Sequence, residues 1–258
     1  MHYSTLIVTE ADGVGTISLN RPTLMNALNA QMRAEILHAV KDLSKRARVL
    51  VLTGEGRAFC SGQDLGDGTS VDDLDLGRIL REEYEPMLRA IYDCPLPVIS
   101  AVNGAAAGAG ANLALAADVV IATQSAVFLQ AFSRIGLIPD AGGTFWLPRQ
   151  VGFARAMGQA LFAEKVTADE AAGMGMIWAS IPDEGFAGEW KRRAAQLANG
   201  PTLAYGAIKR AMRQSLENNL DRQLSLEAEL QGECGHSRDF REGVIAFLEK
   251  RPAKFEGR

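Results

Sequence analysis

The stretch NGAAAGAGANLALAAD, residues 103–118, decides the fold. From Asn103 to Asn112 it contains only Asn, Gly and Ala. It follows the apolar run PLPVISAV, residues 95–102, which suits a strand buried on both faces. It then runs into LALAA, which suits a helix opening near Ala107. A strand, a bare turn and a helix in immediate succession make an α/β unit. The N-terminus of such a helix has free backbone N–H groups and a partial positive charge, and a turn without side chains lets a ligand reach them.

Two ligand chemistries suit that arrangement. A phosphate is one, but the Gly-Lys-Ser/Thr ending of a phosphate-binding loop is missing, and GAGANLA matches a dinucleotide glycine signature only loosely. Close helix packing accounts for the glycines equally well. The other is an oxyanion, such as the oxygen of a thioester carbonyl that becomes an enolate. Two preorganised backbone N–H groups hold such an oxygen, one good donor contributing about 3–4 kcal/mol. The first donor belongs to this helix start. The Gly-bearing turn FCSGQD, after the buried run RVLVLTG at residues 48–54, is the natural source of the second.

Outward from these units the chain alternates strand and helix patterns. STLIVTE and VGTISLN, separated by ADG, predict a hairpin. Residues 27–45 turn helical, with Met32, Ile36, Leu37, Val40 and Leu43 on one side. A helix follows over about Ile79–Tyr92. ADVVIATQSAVFL reads as two strand-like pieces, and DAGGTFWLPRQVG as a Gly-rich turn entering a helix. From Phe153 onward the pattern is Ala-rich and helical, with an amphipathic helix near Pro201–Leu216 and charged helices to Lys250. No fixed-period repeat and no low-complexity tract interrupts it. The fold class is α/β with a helical C-terminal portion.

The 258 residues fit one large domain, or a domain with a small appendage. A net charge of −4 advertises neither nucleic acid nor an anionic membrane as partner. Cys60, Cys94 and Cys234 are too few and too scattered for a disulfide framework or a structural zinc, and read as free thiols. No metal is expected. The first residues, MHYSTLIVTEADG, show no basic stretch before an apolar core, and no apolar run approaches the ~18 residues of a membrane span. The expectation is a cytoplasmic protein. His2, His38 and His236 lie away from every motif, and Ser61 has no His/Asp partner pattern, so a serine hydrolase is a poor reading.

Five segments together resemble the motif series of the crotonase family, the enoyl-CoA hydratase/isomerase superfamily. They are LNRPTLMNALN (19–29), GRAFCSGQDL (56–65), PVISAVNGAAAGAGANLALAADVVIA (97–122), FSRIGLIPDAGGTFWLPRQVG (132–152) and FREGVIAFLEKRPAKF (240–255). Each is modest alone, but the five occur in the family's order over nearly the whole chain. The resemblance implies a spiral core of ββα turns over residues 1–200 and a helical oligomerisation region over 201–258. It also implies homotrimers, often paired into hexamers, and an acyl-CoA thioester substrate whose coenzyme A is part of the substrate and not a separate cofactor.

The resemblance places the oxyanion donors on the backbone N–H groups of Gln63 and Ala109, beside Gly108. Asp64 reads as a turn residue that caps its loop by accepting local N–H bonds. The two hydratase glutamates would fall at Asn112 and Phe132. With both carboxylates gone, hydration by the two-carboxylate route is not expected. Asp140 stands where the family's isomerases carry their acid, with Ile138 and Phe132 as apolar neighbours able to raise its pKa. On residues alone a helix N-cap is the favoured reading, and the missing glutamates and the resemblance reverse it.

AAGAGA, FSRIGLIPDAGGTFWLPR, ARAMG and GMIW together are similar to the subgroup that rearranges the ring-1,2-epoxide of phenylacetyl-CoA to an oxepin in phenylacetate catabolism. For that aromatic group Phe132, Phe145 and Trp146 are candidate pocket residues, or core. Met25 and Ala27 fall on the family's coenzyme A edge, with Ser61 in the adjoining turn. Lys250 is a candidate phosphate contact, or a solvated lysine. The acidic loop at residues 66–75 is a candidate lid, or a solvated loop. The rival activity is a Δ3,Δ2-enoyl-CoA isomerase of fatty-acid metabolism, and the rival from another class is an acyl-CoA-binding subunit without turnover.

Overall fold

The computed structural model describes residues 2–66 and 74–258. The predicted hairpin is present: β1 (Leu6–Ala11) pairs antiparallel with β2 (Val14–Leu19), turning at Asp12-Gly13. The helical run that follows is α1 (Ala30–Leu43), capped by the Asn29 side chain on the Met32 amide at 2.9 Å. Met32, Ile36, Val40 and Leu43 are buried on its inner face, and Leu37 is half-buried.

Three ββα turns then wind in sequence. The first is β3 (Val49–Gly54), the short strand β4 (Ala58–Cys60), and a helical segment made of α2 (Leu76–Ile79), one wider turn at Leu80–Tyr84, and α3 (Glu85–Tyr92). The second is β5 (Val98–Val102), β6 (Ala105–Ala107) and α4 (Ala109–Leu115). The third is β7 (Val119–Thr123), β8 (Val127–Leu129) and, after a short turn, α5 (Gly143–Val151). The large-sheet strands of these turns begin at residues 49, 98 and 119, at unequal intervals, so the structural repeat leaves no fixed period in the sequence.

The long strands build one sheet in the order β1-β2-β3-β5-β7-β10, parallel from β2 onward, with β10 (Ala179–Ile181) at the edge. The short strands build a second sheet, β4-β6-β8-β9, closed by β9 (Lys165–Thr167) antiparallel to β8. β3 shows why its run is apolar throughout. Val49 and Val51 face a core that includes Phe186, Ala194 and Ala198 of α8 (Asp183–Ala198), while Leu50 and Leu52 face the main core with α1. Each such aliphatic side chain contributes about 1.5–3 kcal/mol by burial.

α6 (Phe153–Phe162) packs against α5, and α7 (Ala168–Gly173) packs against β8, β9 and β10. Beyond α8, α9 (Thr202–Gln214), α10 (Leu220–Gly235) and α11 (Arg238–Leu248) supply the helical C-terminal portion. α9 is held to the sheet by charge. Lys209 Nζ donates to the carbonyls of Cys94 and Leu96, both at 2.7 Å. Lys209 and Arg213 also meet the Asp118 carboxylate at 2.7 and 2.6 Å. Among the described residues no helix is long and apolar enough to cross a membrane.

One local expectation is corrected. The bare stretch does not enter its helix at Ala107: Ala105–Ala107 form β6, and α4 starts at Ala109. Alanine has little strand preference, but parallel pairing to both β4 and β8 overrides it.

Candidate active site

The second sheet assembles the site. β4 and β6 are adjacent and parallel, with Cys60 opposite Ala106, so the turns leaving their C-terminal ends lie side by side. One turn is Ser61-Gly62-Gln63-Asp64 and the other is Gly108 entering α4. A Cβ placed on Gly62 would stand 2.8 Å from the Ala107 carbonyl oxygen and 3.4 Å from the Ala109 nitrogen, so the two turns are in contact. Gly108 has φ +52° and ψ −128°, a conformation that disfavours any residue with a Cβ. It is what turns the chain from β6 into α4 without a side chain over the Ala109 amide.

The bonding of the Gln63 turn aims its remaining amide. The Leu28 amide donates to Gly62 O at 2.8 Å, and the Asp64 amide donates to Leu28 O at 3.1 Å. The Gln63 N–H between them therefore points away from residue 28. Among the described residues neither the Gln63 nor the Ala109 amide meets an acceptor. Asp64 does what a turn aspartate does: its Oδ1 accepts from the Gly66 amide at 3.0 Å, and its Oδ2 meets Arg21 at 2.8 Å.

Gln63, Ala109, Ser61, Gly108, Phe132 and Asp140 line one cavity of about 300 Å³. The rest of its wall is mostly apolar, with Leu65, Leu76, Ile79, Leu80 and Leu137. Asp140 is the only acid among its described lining residues. Its Oδ1 is buried without a hydrogen-bond partner, and burial raises its pKa to about 6. It is not a helix cap, since the N-cap position of α5 is Gly142 and no side chain caps it. A carboxyl with this pKa can take up and release a proton near neutrality, and two free amides in the same cavity can hold a carbonyl oxygen as charge develops on it.

Asn112 stands behind the cavity and does not line it. It is fully buried, donates to the Asp140 carbonyl at 2.7 Å and accepts from Gln130 Nε2 at 2.8 Å. It thus fixes the main chain that carries Asp140. Of the two apolar neighbours expected around that carboxyl, Phe132 shares the cavity. Ile138, expected to bury the carboxyl as well, is instead 77% exposed and does not line the cavity.

Phe145 and Trp146 also lie off the cavity wall. They pack against Tyr92, with ring centroids 6.2 and 5.4 Å from it, and Trp146 donates to Ala141 O at 3.2 Å. Met25, at φ +49°, accepts from the Ser61 amide at 2.9 Å, and Ala27 O accepts from Arg21 at 2.6 Å. Both therefore border the Gln63 turn. Lys250 follows α11, exposed and away from the cavity wall. Residues 67–73, most of the acidic stretch read as a lid, lie outside the described residues.

Two side chains at the site escaped the sequence reading. Tyr84 lines the cavity, and Arg33 lies just behind it; each bonds Gln63 Oε1, at 2.6 and 2.9 Å. The signal for Arg33 was available. It sits between Met32 and Ile36 on the buried side of α1, where a charge needs a partner. Cys60 is buried, and burial pushes its thiol up to about 12, far from a nucleophile's range.

Residues 9–258 match the family described as Enoyl-CoA hydratase/isomerase. The chain is 64% identical over 258 residues to the Rhodobacter capsulatus protein named "Probable enoyl-CoA hydratase", covering 100% of both chains. It is 48% identical over 252 residues to the 1,2-epoxyphenylacetyl-CoA isomerase of Escherichia coli, covering 95% of this chain and 96% of the relative. Among solved structures, the enoyl-CoA hydratase of Bacillus anthracis superposes with a TM-score of 0.91 at 30% identity, over 99% of this chain and 100% of that one.

Proposed function

The chain belongs to the enoyl-CoA hydratase/isomerase family, and from that premise we propose that it isomerises an acyl-CoA thioester with Asp140 as its single acid/base. The observation that carries the reading is the buried, unpartnered Oδ1 of Asp140. It shares a mostly apolar cavity with the two free amides and with no second described acid. Asn112 and Phe132 occupy the positions where the resemblance puts the two hydratase glutamates. The first is locked to Gln130 and the Asp140 carbonyl, and the second has no proton to give. This favours isomerisation over the hydration named for the Rhodobacter capsulatus relative.

The thioester oxygen accepts from the Gln63 and Ala109 amides. Ionised Asp140 removes a proton from the carbon beside the carbonyl, and the electron pair spreads onto the held oxygen as an enolate. The protonated carboxyl then returns the proton to a carbon farther along the acyl group. One C–H bond breaks and another forms, and no water enters or leaves. The substrate we propose is the ring-1,2-epoxide of phenylacetyl-CoA: the ring bond between its two epoxide carbons breaks as the ring double bonds shift, and with the proton moved as above the product leaves as the seven-membered oxepin thioester. The Escherichia coli relative supports this choice, as does the apolar wall of Leu76, Ile79, Leu80 and Phe132.

Asp140→Asn keeps the shape and removes the base. We expect turnover to fall by about 10²–10⁴-fold while thioester binding stays near its original strength. Full turnover in that variant would overturn the assignment. Parallel assays on the epoxide, on a linear 3-enoyl-CoA and on a 2-enoyl-CoA with water separate the proposed substrate, the rival isomerase and a hydratase. Binding without turnover on all three would make the chain an acyl-CoA-binding subunit.

A further inference from the structure

We infer that the Gln63 side chain is a specificity-determining group that donates a hydrogen bond to an acceptor oxygen carried on the acyl group, so that the site selects oxygenated acyl-CoA thioesters over hydrocarbon ones. The inference deepens the reading of the cavity as an acyl-CoA site and rests on it.

The orientation of the Gln63 amide follows from its partners. Oε1 accepts from Arg33 Nη1 at 2.9 Å and from the Tyr84 hydroxyl at 2.6 Å. A guanidinium has no acceptor, so the amide oxygen must face Arg33 and the NH₂ must face the other way. Arg33 is itself fixed. It is buried, its Nη1 also donates to Leu28 O at 2.7 Å, and its Nε and Nη2 hold the Glu83 carboxylate. A side chain clamped this way gives up little conformational freedom when a ligand arrives.

What remains of Gln63 is a donor. Its Nε2 carries two N–H groups, and the one acceptor it approaches among the described residues is Asp64 O, at a long 3.4 Å. Leu65, Leu76, Ile79 and Leu80 share the cavity wall with Gln63 and offer nothing to a donor from their side chains. A hydrocarbon acyl group seated there would strip water from the N–H and return no bond, whereas an ether or epoxide oxygen would complete it. Under the proposed mechanism the Gln63 main-chain N–H holds the thioester oxygen. Its side chain is therefore placed to meet an oxygen close to that carbonyl. An epoxide across the first ring bond of a phenylacetyl group puts its oxygen three bonds from the carbonyl carbon. Arg33, Glu83 and Tyr84 are then positioning residues, acting through Gln63.

The test uses the whole protein and two ligands of matched shape, 2-methoxyphenylacetyl-CoA and 2-ethylphenylacetyl-CoA, which differ in one acceptor oxygen. Titration calorimetry gives a Kd for each. The unsubstituted protein is expected to bind the methoxy ligand about tenfold more tightly, the scale of one hydrogen bond. Gln63→Glu keeps two acceptor oxygens for Arg33 and Tyr84 but has no donor once ionised, and is expected to lose or invert the preference. Gln63→Met, which has no hydrogen-bond donor, gives the same reading if the Glu variant fails to fold. Equal binding of the two ligands by the unsubstituted protein, or an undiminished preference in the variants, overturns the inference alone. Binding of neither ligand overturns both it and the acyl-CoA reading.

Discussion

Asp140 ties structure to pH. Burial lifts its pKa from 3.8 to about 6, so as a base it becomes active only as pH rises through about 6. We expect kcat to climb through that value and level off above it; a profile flat from pH 5 to 8 would place the base elsewhere. The same shift has a stability signature. The folded state holds this proton more tightly than the unfolded state does. The resulting stabilisation is complete below pH 3.8 and is lost as pH rises through about 6, leaving an ionised carboxylate that the fold resists. Asp140→Asn should therefore raise stability at pH 8 by about 1 kcal/mol, a figure discounted for the carboxyl's partial exposure, and add nothing at pH 3. Thermal midpoints at the two pH values check both halves. Asp140 was visible in the sequence because GLIPDAGG sets one acid in a Gly-rich turn, but its two possible roles were not separable there. Whether it caps α5 or faces a cavity depends on where Gly142 ends the turn, which only the folded chain decides. Gln63 was visible for its main-chain N–H. The role of its side chain was hidden, because the residues that orient it lie at sequence distances of 30 and 21.

At the scale of elements, the bare stretch serves packing as well as chemistry. A Cβ on Gly110 would come 2.3 Å from the Cys60 carbonyl oxygen, a main-chain atom that cannot turn aside. Gly110→Ala should push α4 off β4 and lower stability by about 1–3 kcal/mol, with thioester binding weakened because Ala109 moves too. Denaturant titration with a thioester binding assay checks this; an unchanged midpoint would show the contact to be slack. α9 is held by a different device. Asp118→Ala would leave the mostly buried cations Lys209 and Arg213 without their carboxylate and should cost about 3–5 kcal/mol. Such long elements were legible from periodicity and burial pattern. β4, β6 and β9 were not, because three residues each carry no period, and Ala105–Ala107 form a strand only through the neighbours that pair with them.

At the scale of the whole molecule, the last residues return to the core. Asp239, buried near the start of α11, accepts from the Glu256 and Gly257 amides at 2.7 and 2.8 Å. Arg48, just before β3, reaches Gly200 O at 2.6 Å, Thr202 Oγ1 at 3.0 Å and Phe255 O at 3.1 Å. The chain's end thus joins the sheet to the C-terminal helices. Removing residues 252–258 should strand the buried Asp239 carboxylate and lower the thermal midpoint by several degrees, with α11 losing protection from hydrogen exchange first. Exchange that is uniform across the chain would contradict this. None of it was legible in FREGVIAFLEKRPAKF beyond a helix and its stop, since Arg48 comes from the far end of the sequence and Asp239, Glu256 and Gly257 lie outside that stretch.

The two turns behind Gln63 and Ala109, and the cavity they share with Asp140, depend on all three scales at once. The most direct measurement is a crystal structure of the Asp140→Asn variant with an acyl-CoA thioester bound. The account predicts the thioester oxygen about 2.7–3.1 Å from both the Gln63 and the Ala109 nitrogen, with residue 140 beside the carbon next to the carbonyl. A thioester oxygen that meets neither amide, or an acyl chain running away from residue 140, would contradict it.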